Sequence, residues 1–222
     1  MTAACTPGMA IAAPLWIKIC GLRTPEAIVA AAQAGANALG FVFHAGSPRN
    51  LDPGAARELQ RTVPAGIERV AVFLHPAQSL VDEVLAAVAP DWVQTDARDL
   101  ATLRLPAAQR VLPVLRSGGG PSASLPAELP PRCLLESAHS GAGERADWPA
   151  AARLARATEV VLAGGLDPAN VAEAVHAVRP FGVDVSSGVE RQRGVKDPER
   201  IREFIRAARA AERALSHEEN RR

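Results

Sequence analysis

Cys20 closes the apolar run Leu15-Trp16-Ile17-Lys18-Ile19 and stands directly before Gly21-Leu22-Arg23-Thr24-Pro25. A thiol at the carboxyl end of a short buried strand, beside a glycine turn, is placed to act as a base or nucleophile. The same residue type more often serves as a small apolar filler. Glu136 has an equivalent place at the end of Cys133-Leu134-Leu135. Partial desolvation there tends to raise a carboxyl pKa, which suits a general acid near neutral pH; a structural hydrogen-bonding role fits that position equally well. Two glycine- and serine-rich segments, Gly164-Gly165 and Ser186-Ser187-Gly188, follow neighbouring apolar runs. Their main-chain N–H groups and hydroxyls could cradle a phosphate, while glycines alone also serve to make tight turns. Arg49, in the loop Gly46-Ser47-Pro48-Arg49, could hold a carboxylate by a two-pronged contact, although any surface arginine would read the same. Asp184, at the end of Gly182-Val183, is a further candidate contact to substrate.

These residues need elements to position them, and the pattern supplies eight. Strands are expected at Leu15–Cys20, Ala38–Phe43, Arg69–Leu74, Trp92–Gln94, Val111–Leu115, Cys133–Glu136, Val160–Ala163 and Val183–Val185. Several are unbroken apolar runs, as in parallel sheets covered on both faces. Between them, Val81/Val84/Leu85/Val88, Val171/Ala174/Val175/Val178 and Ile201/Phe204/Ile205/Ala208 repeat at i, i+3, i+4, i+7. Each set is one apolar stripe of a helix. Thr24-Pro25, Asp52-Pro53, Asp167-Pro168 and Asp197-Pro198 each place a capping side chain before a proline, a helix-start signature.

Strict alternation over this length predicts an α/β fold, a single-domain (β/α)8 TIM barrel. No G-x-G-x-x-G follows the first strand, which argues against a doubly wound dinucleotide-binding sheet. The fifth crossover is expected to be irregular, because Ser117–Pro131 carries Gly118-Gly119-Gly120 and four prolines. The expected organisation is an N-terminal extension over 1–14, the barrel over 15–215 and a frayed tail over 216–222. All the candidate residues then lie at the carboxyl ends of strands, the working face of such barrels.

Composition narrows the function classes. The 222 residues are 48% hydrophobic, enough for a large core. The 25 basic and 24 acidic side chains leave a formal charge of +1, so no global field draws nucleic acid or an anionic membrane. No apolar run reaches the roughly 18 residues a bilayer span needs. Three cysteines without paired spacing fit a reducing cytoplasm, and His44, His75, His139 and His176 lack metal-ligand spacing. No metal is expected.

The order of these pieces resembles the phosphoribosylanthranilate isomerase family of tryptophan biosynthesis. The likeness rests on Lys18-Ile19-Cys20-Gly21, Ala38–Phe43, Ser47-Pro48-Arg49, Leu162–Leu166, Val183–Glu190 and Gly194-Val195-Lys196-Asp197, and spans about Ile17 to Ile205. The resemblance implies an Amadori rearrangement of N-(5-phosphoribosyl)anthranilate, an aminoaldose, to the aminoketose. Cys20 would be the base that takes the C2 proton, and the strand-six carboxyl would protonate the ring oxygen. Arg49 would hold the anthranilate carboxylate, and the two glycine-serine segments the phosphate. It implies a small phosphorylated substrate, no cofactor, and a monomer or homodimer. Two other readings share the same residues: a paralogue acting on a different phosphosugar, and a non-catalytic phosphosugar-binding protein.

Four positions depart from the family pattern. Glu136 stands where aspartate is usual, one methylene and about 1.5 Å longer. Ser140-Gly141-Ala142-Gly143 replaces Gly-Gly-Thr/Ser-Gly, Gln94-Thr95-Asp96-Ala97 replaces Gln-Leu-His-Gly, and His75 replaces asparagine.

Overall fold

In the computed structural model, residues 14–116, 128–137, 145–219 and 221 are described. The segments 1–13, 117–127 and 138–144 lie outside them. So do most of the expected N-terminal extension, the glycine-rich core of the fifth crossover, His139 and Ser140–Gly143.

Eight parallel strands close into a barrel in sequence order. They are β1 (Trp16–Cys20), β2 (Ala38–Val42), β3 (Glu68–Val72), β4 (Trp92–Asp96), β5 (Arg110–Arg116), β6 (Arg132–Glu136), β7 (Glu159–Leu162) and β8 (Gly182–Val185). β1 closes on β8, with Lys18 opposite Asp184. Each expected strand is present, shifted by up to two residues at its ends. β4 is longer than expected and takes in Thr95 and Asp96.

The helices are α1 (Pro25–Ala34), α2 (Pro53–Leu59), α3 (Gln78–Val88), the single turn α4 (Ala97–Leu100), α5 (Trp148–Leu154), α6 (Val171–Val178) and α7 (Pro198–Glu219). Among the described residues no helix joins β5 to β6. α7 runs to Glu219, past the 215 boundary expected for the barrel. Its Ile201, Phe204, Ile205 and Ala208 are all buried, as are Val171, Ala174, Val175 and Val178 of α6. Thr24, Asp52 and Asp197 each accept from a backbone N–H of the first turn that follows; such caps are typically worth about 1 kcal/mol each. Asp167 departs from expectation. Its Oδ1 accepts from Ala169 and Asn170, closing a turn, and α6 begins only at Val171.

Alternation along the strands splits the buried residues into two sets. Ile17, Ile19, Leu39, Phe41, Val160, Leu162 and Val183 face the helices. Trp16, Ala38, Val70, Trp92, Leu112, Val114, Leu134 and Val161 fill the barrel. The amino-terminal end of the interior is floored by rings and charges. Glu68 accepts from Trp16 Nε1 at 3.0 Å and from Arg110 at 2.8 Å. The Arg110 guanidinium lies 4.4 Å from the Trp92 ring centre, and that of Arg132 lies 3.9 Å from Phe181.

After β8 the chain makes a 3-10 turn, Ser187–Val189, and then a two-stranded hairpin of β9 (Glu190–Gln192) and β10 (Val195–Lys196). The hairpin had no counterpart in the sequence reading.

Candidate active site

Period-two alternation along β1 turns Lys18 and Cys20 to the same inward face. Lys18 is fully buried, and its Nζ donates to Asp184 Oδ1 at 2.8 Å. Burial alone would lower the Lys18 pKa, but the Asp184 carboxylate and the Cys20 sulfur together outweigh it and hold the lysine charged, above its ordinary value. Cys20 sits beside this pair. Burial pushes its thiol up, while the Lys18 and Lys196 charges pull it down without cancelling the shift.

Cys20, Arg49, Glu136, Asp184, Ser186 and Arg193 line one cleft of about 200 Å³ at the carboxyl end of the barrel. A smaller cup adjoins it, sharing Glu136, Asp184 and Ser186 and lined also by Gly164, Gly165 and Ser187. The structure therefore brings the candidate thiol, carboxyl and glycine-serine segments to one mouth. Gly164 and Gly165 both take positive φ, 85° and 64°, which turns successive main-chain groups the same way. At Gly188 a Cβ would stand 1.9 Å from the Leu166 carbonyl oxygen, so only glycine lets the β7 and β8 loops approach this closely. Ser186 is more constrained than its sequence suggested. Its hydroxyl donates to the Cys20 carbonyl at 3.2 Å, and Lys196 Nζ donates to its carbonyl at 2.8 Å.

Arg49 lines the cleft but is not held free for a ligand. Its Nε and Nη2 donate to the two carboxylate oxygens of Glu190 at 2.6 and 3.0 Å, in a buried bidentate pair. Nη1 has no partner among the described residues. Glu190 also accepts from Lys196 Nζ at 2.8 Å and from the Gly194 N–H at 2.9 Å. Burial would raise the Glu190 carboxyl, but Arg49, Lys196 and Gly194 bring it down to about 2. This cluster fastens the hairpin to the loop after β2. Arg193, at the hairpin tip, is exposed and also lines the cleft.

A second network surrounds Glu136. Arg116 bridges it to Asp96, and His75 and Asp99 extend the chain, with His75 Nδ1 2.8 Å from Asp99 Oδ1. His75, Asp96 and Asp99 bring possible metal-ligand atoms within 4.8 Å of one another. Their carboxylates are already engaged, Asp96 by Arg116 and Asp99 by Thr95 at 2.6 Å. The cluster reads as an ion-pair network.

The sequence profile described as N-(5'-phosphoribosyl)anthranilate (PRA) isomerase matches residues 17–207. The chain belongs to this isomerase family. An N-(5'-phosphoribosyl)anthranilate isomerase of Bordetella petrii is 39% identical over 214 residues, covering 90% of this chain and 97% of the relative. One from Citrifermentans bemidjiense is also 39% identical, covering 87% and 96%. Among solved structures, TrpF from Jonesia denitrificans superposes with a TM-score of 0.75 at 35% identity, covering 89% of this chain and 98% of that one. A phosphoribosylanthranilate isomerase in complex with reduced 1-(o-carboxyphenylamino)-1-deoxyribulose 5-phosphate gives 0.70 at 28% identity, covering 88% and 99%. The isomerase family's barrel is thus the fold of this chain. Lys18, Arg116, Glu190, Arg193 and Lys196 are the site groups that sequence reasoning missed. Only Lys18 carried a signal, as a lone charge inside the apolar run Leu15–Cys20.

Proposed function

We propose that this chain converts N-(5'-phosphoribosyl)anthranilate to 1-(2-carboxyphenylamino)-1-deoxyribulose 5-phosphate, the isomerisation step of tryptophan biosynthesis. Glu136 gives its proton to the furanose ring oxygen. The ring opens as the substrate nitrogen donates its electron pair and becomes an iminium. Cys20, as thiolate, removes the C2 proton, and the C2–H electron pair flows to the iminium nitrogen, forming an enolamine. Tautomerisation gives the ketone. The substrate's own nitrogen is the electron sink, so these steps call on no cofactor.

The backbone of the Gly164-Gly165 and Ser186-Ser187-Gly188 segments holds the phosphate, and Asp184 faces the sugar. The remaining edge of Arg49, together with Arg193, meets the anthranilate carboxylate. The enzyme is a single barrel domain that includes the whole of α7, acts in the cytoplasm and works as a monomer or homodimer.

One observation carries the reading: Cys20 and Glu136 line the same cleft, and the glycine-serine cup opens beside them. The test is turnover of phosphoribosylanthranilate by the purified protein, followed through loss of the anthranilate amine's fluorescence. Cys20→Ser should lose at least about a hundredfold in kcat while still binding the reduced product analogue. Analogue binding without turnover by the wild-type chain would defeat the catalytic reading and leave a phosphosugar-binding protein.

A further inference from the structure

Four buried polar side-chain atoms have no hydrogen-bond partner among the described residues: Gln60 Oε1, Trp92 Nε1, Gln94 Oε1 and Trp148 Nε1. Of these, only Gln94 lines the cleft that holds Cys20. Trp92 belongs to the floor of the barrel, and Trp148 carries the Arg145 guanidinium on its ring. Gln60 is half-buried near the amino-terminal end of β3. Gln94 is only 5% exposed.

The position of Gln94 explains why its oxygen is orphaned. Alternation along β4 turns it inward with Trp92 and Asp96. The register sets it opposite Val72 on β3 and Leu112 on β5, both apolar. Asp96, one step nearer the mouth, accepts from Arg116. No neighbour in the sheet offers the Gln94 oxygen a donor. An amide oxygen taken from water without a replacement bond destabilises a fold. Methionine or leucine would fill the same space without that cost. Such an oxygen in a cleft wall is set to be completed by what enters the cleft. The last torsion of a glutamine side chain is broad and soft, so the amide can turn its oxygen to an arriving donor.

The substrate of the proposed reaction has two anionic ends. Both call for donors, which Arg49, Arg193 and the glycine-serine backbone supply. The stretch between the ends is uncharged and carries donors of its own, the bridging amine N–H and the sugar hydroxyls. It calls for acceptors. Asp184 Oδ1 is already taken by Lys18.

We propose that Gln94 is a substrate-binding residue whose Oε1 accepts a hydrogen bond from that uncharged middle, either the bridging amine N–H or a sugar hydroxyl. The inference rests on the function proposed above.

The experiment measures melting temperature, affinity for the reduced product analogue and kcat/KM in wild type, Gln94→Met and Gln94→Leu. The melting temperature should rise by about 2 °C or more, because the orphaned oxygen is gone. Analogue affinity and kcat/KM should fall about tenfold or more, because the substrate's donor is then buried without a partner. Inorganic phosphate, which needs only the cup, should bind all three proteins alike. An analogue with an ether oxygen in place of the bridging nitrogen names the donor. The gap between wild type and variants closes if the amine N–H is used, and persists if a sugar hydroxyl is. Analogue affinity within about twofold of wild type in both variants would overturn the inference. So would a melting temperature that falls in both, or phosphate binding weakened as much as analogue binding, since either marks a structural residue. A wild-type chain that does not bind the analogue defeats the proposed function and this inference with it. Tight binding that neither substitution alters defeats only the role of Gln94.

Discussion

Lys18 and Asp184 meet across the β1–β8 seam at 2.8 Å, two residues along the strand from Cys20. The lysine is fully buried, so its charge acts on the thiol with little screening by water. It is the chief group that draws the buried thiol back toward ionisation.

Removing that charge should therefore raise the Cys20 pKa further. Lys18→Met is expected to move the acidic limb of kcat/KM to higher pH by about one unit or more, with about a tenfold loss at neutral pH. Asp184 left alone would push in the same direction. The double variant Lys18→Met/Asp184→Asn removes the orphaned carboxylate and should regain thermal stability. Its limb should stay displaced, because the lysine's influence on the thiol exceeds that of the aspartate. A limb that returned with stability would show Lys18 to be structural only.

Gly40 tests the space around the sulfur. A Cβ there would stand 2.9 Å from Cys20 Sγ and 3.1 Å from its Cα. Gly40→Ala should force the thiol aside and lower kcat by about a hundredfold, with KM changed far less. Steady-state kinetics on a variant with a wild-type circular dichroism spectrum make the check.

Glu190 predicts an acid-sensitive clamp. Its folded pKa of about 2 lies below the ordinary value of 4.5. A depressed carboxyl contributes stability that is full above the ordinary pKa and lost as pH falls toward the folded one. The stability gap between wild type and Glu190→Gln should be on the order of 3 kcal/mol at pH 7 and should close between about pH 4.5 and 2. Urea unfolding at several pH values measures it.

The two arginines of the cleft should behave differently. Arg49→Ala breaks the bidentate pair to Glu190, so KM should rise and the melting temperature fall together. Arg193→Ala breaks no pair among the described residues. It should raise KM about five- to tenfold with kcat and melting temperature little changed. A reduced product analogue without the carboxyl group should bind wild type and Arg193→Ala equally.

Much of the frame was legible in the sequence because its causes are local. Apolar runs mark β1 to β8, and Val171/Ala174/Val175/Val178 shows a buried stripe in four residues. Cys20 and Glu136 could be found as strand ends. Their partners could not. Lys18 and Asp184 are 166 residues apart, and Arg49 and Glu190 are 141 apart, so only closure of the barrel and folding of the hairpin bring them together. Arg49 illustrates the difference: the sequence offers a guanidinium to the substrate, while the fold commits two of its donor groups to Glu190. Asp96 and Arg116, on neighbouring strands and 20 residues apart, likewise give no local sign of meeting. Asp167 shows a local signature outcompeted, its oxygen closing a turn one step before the helix.

The floor of rings and charges beneath the strands has a kinetic corollary. Among the described residues, Trp16, Glu68, Trp92 and Arg110 pack together at the far end, and the cleft that holds Cys20 opens at the carboxyl end. The ketose must leave by the doorway its precursor used, and a molecule lingering there bars the next arrival. Inhibition by accumulated product should therefore be purely competitive.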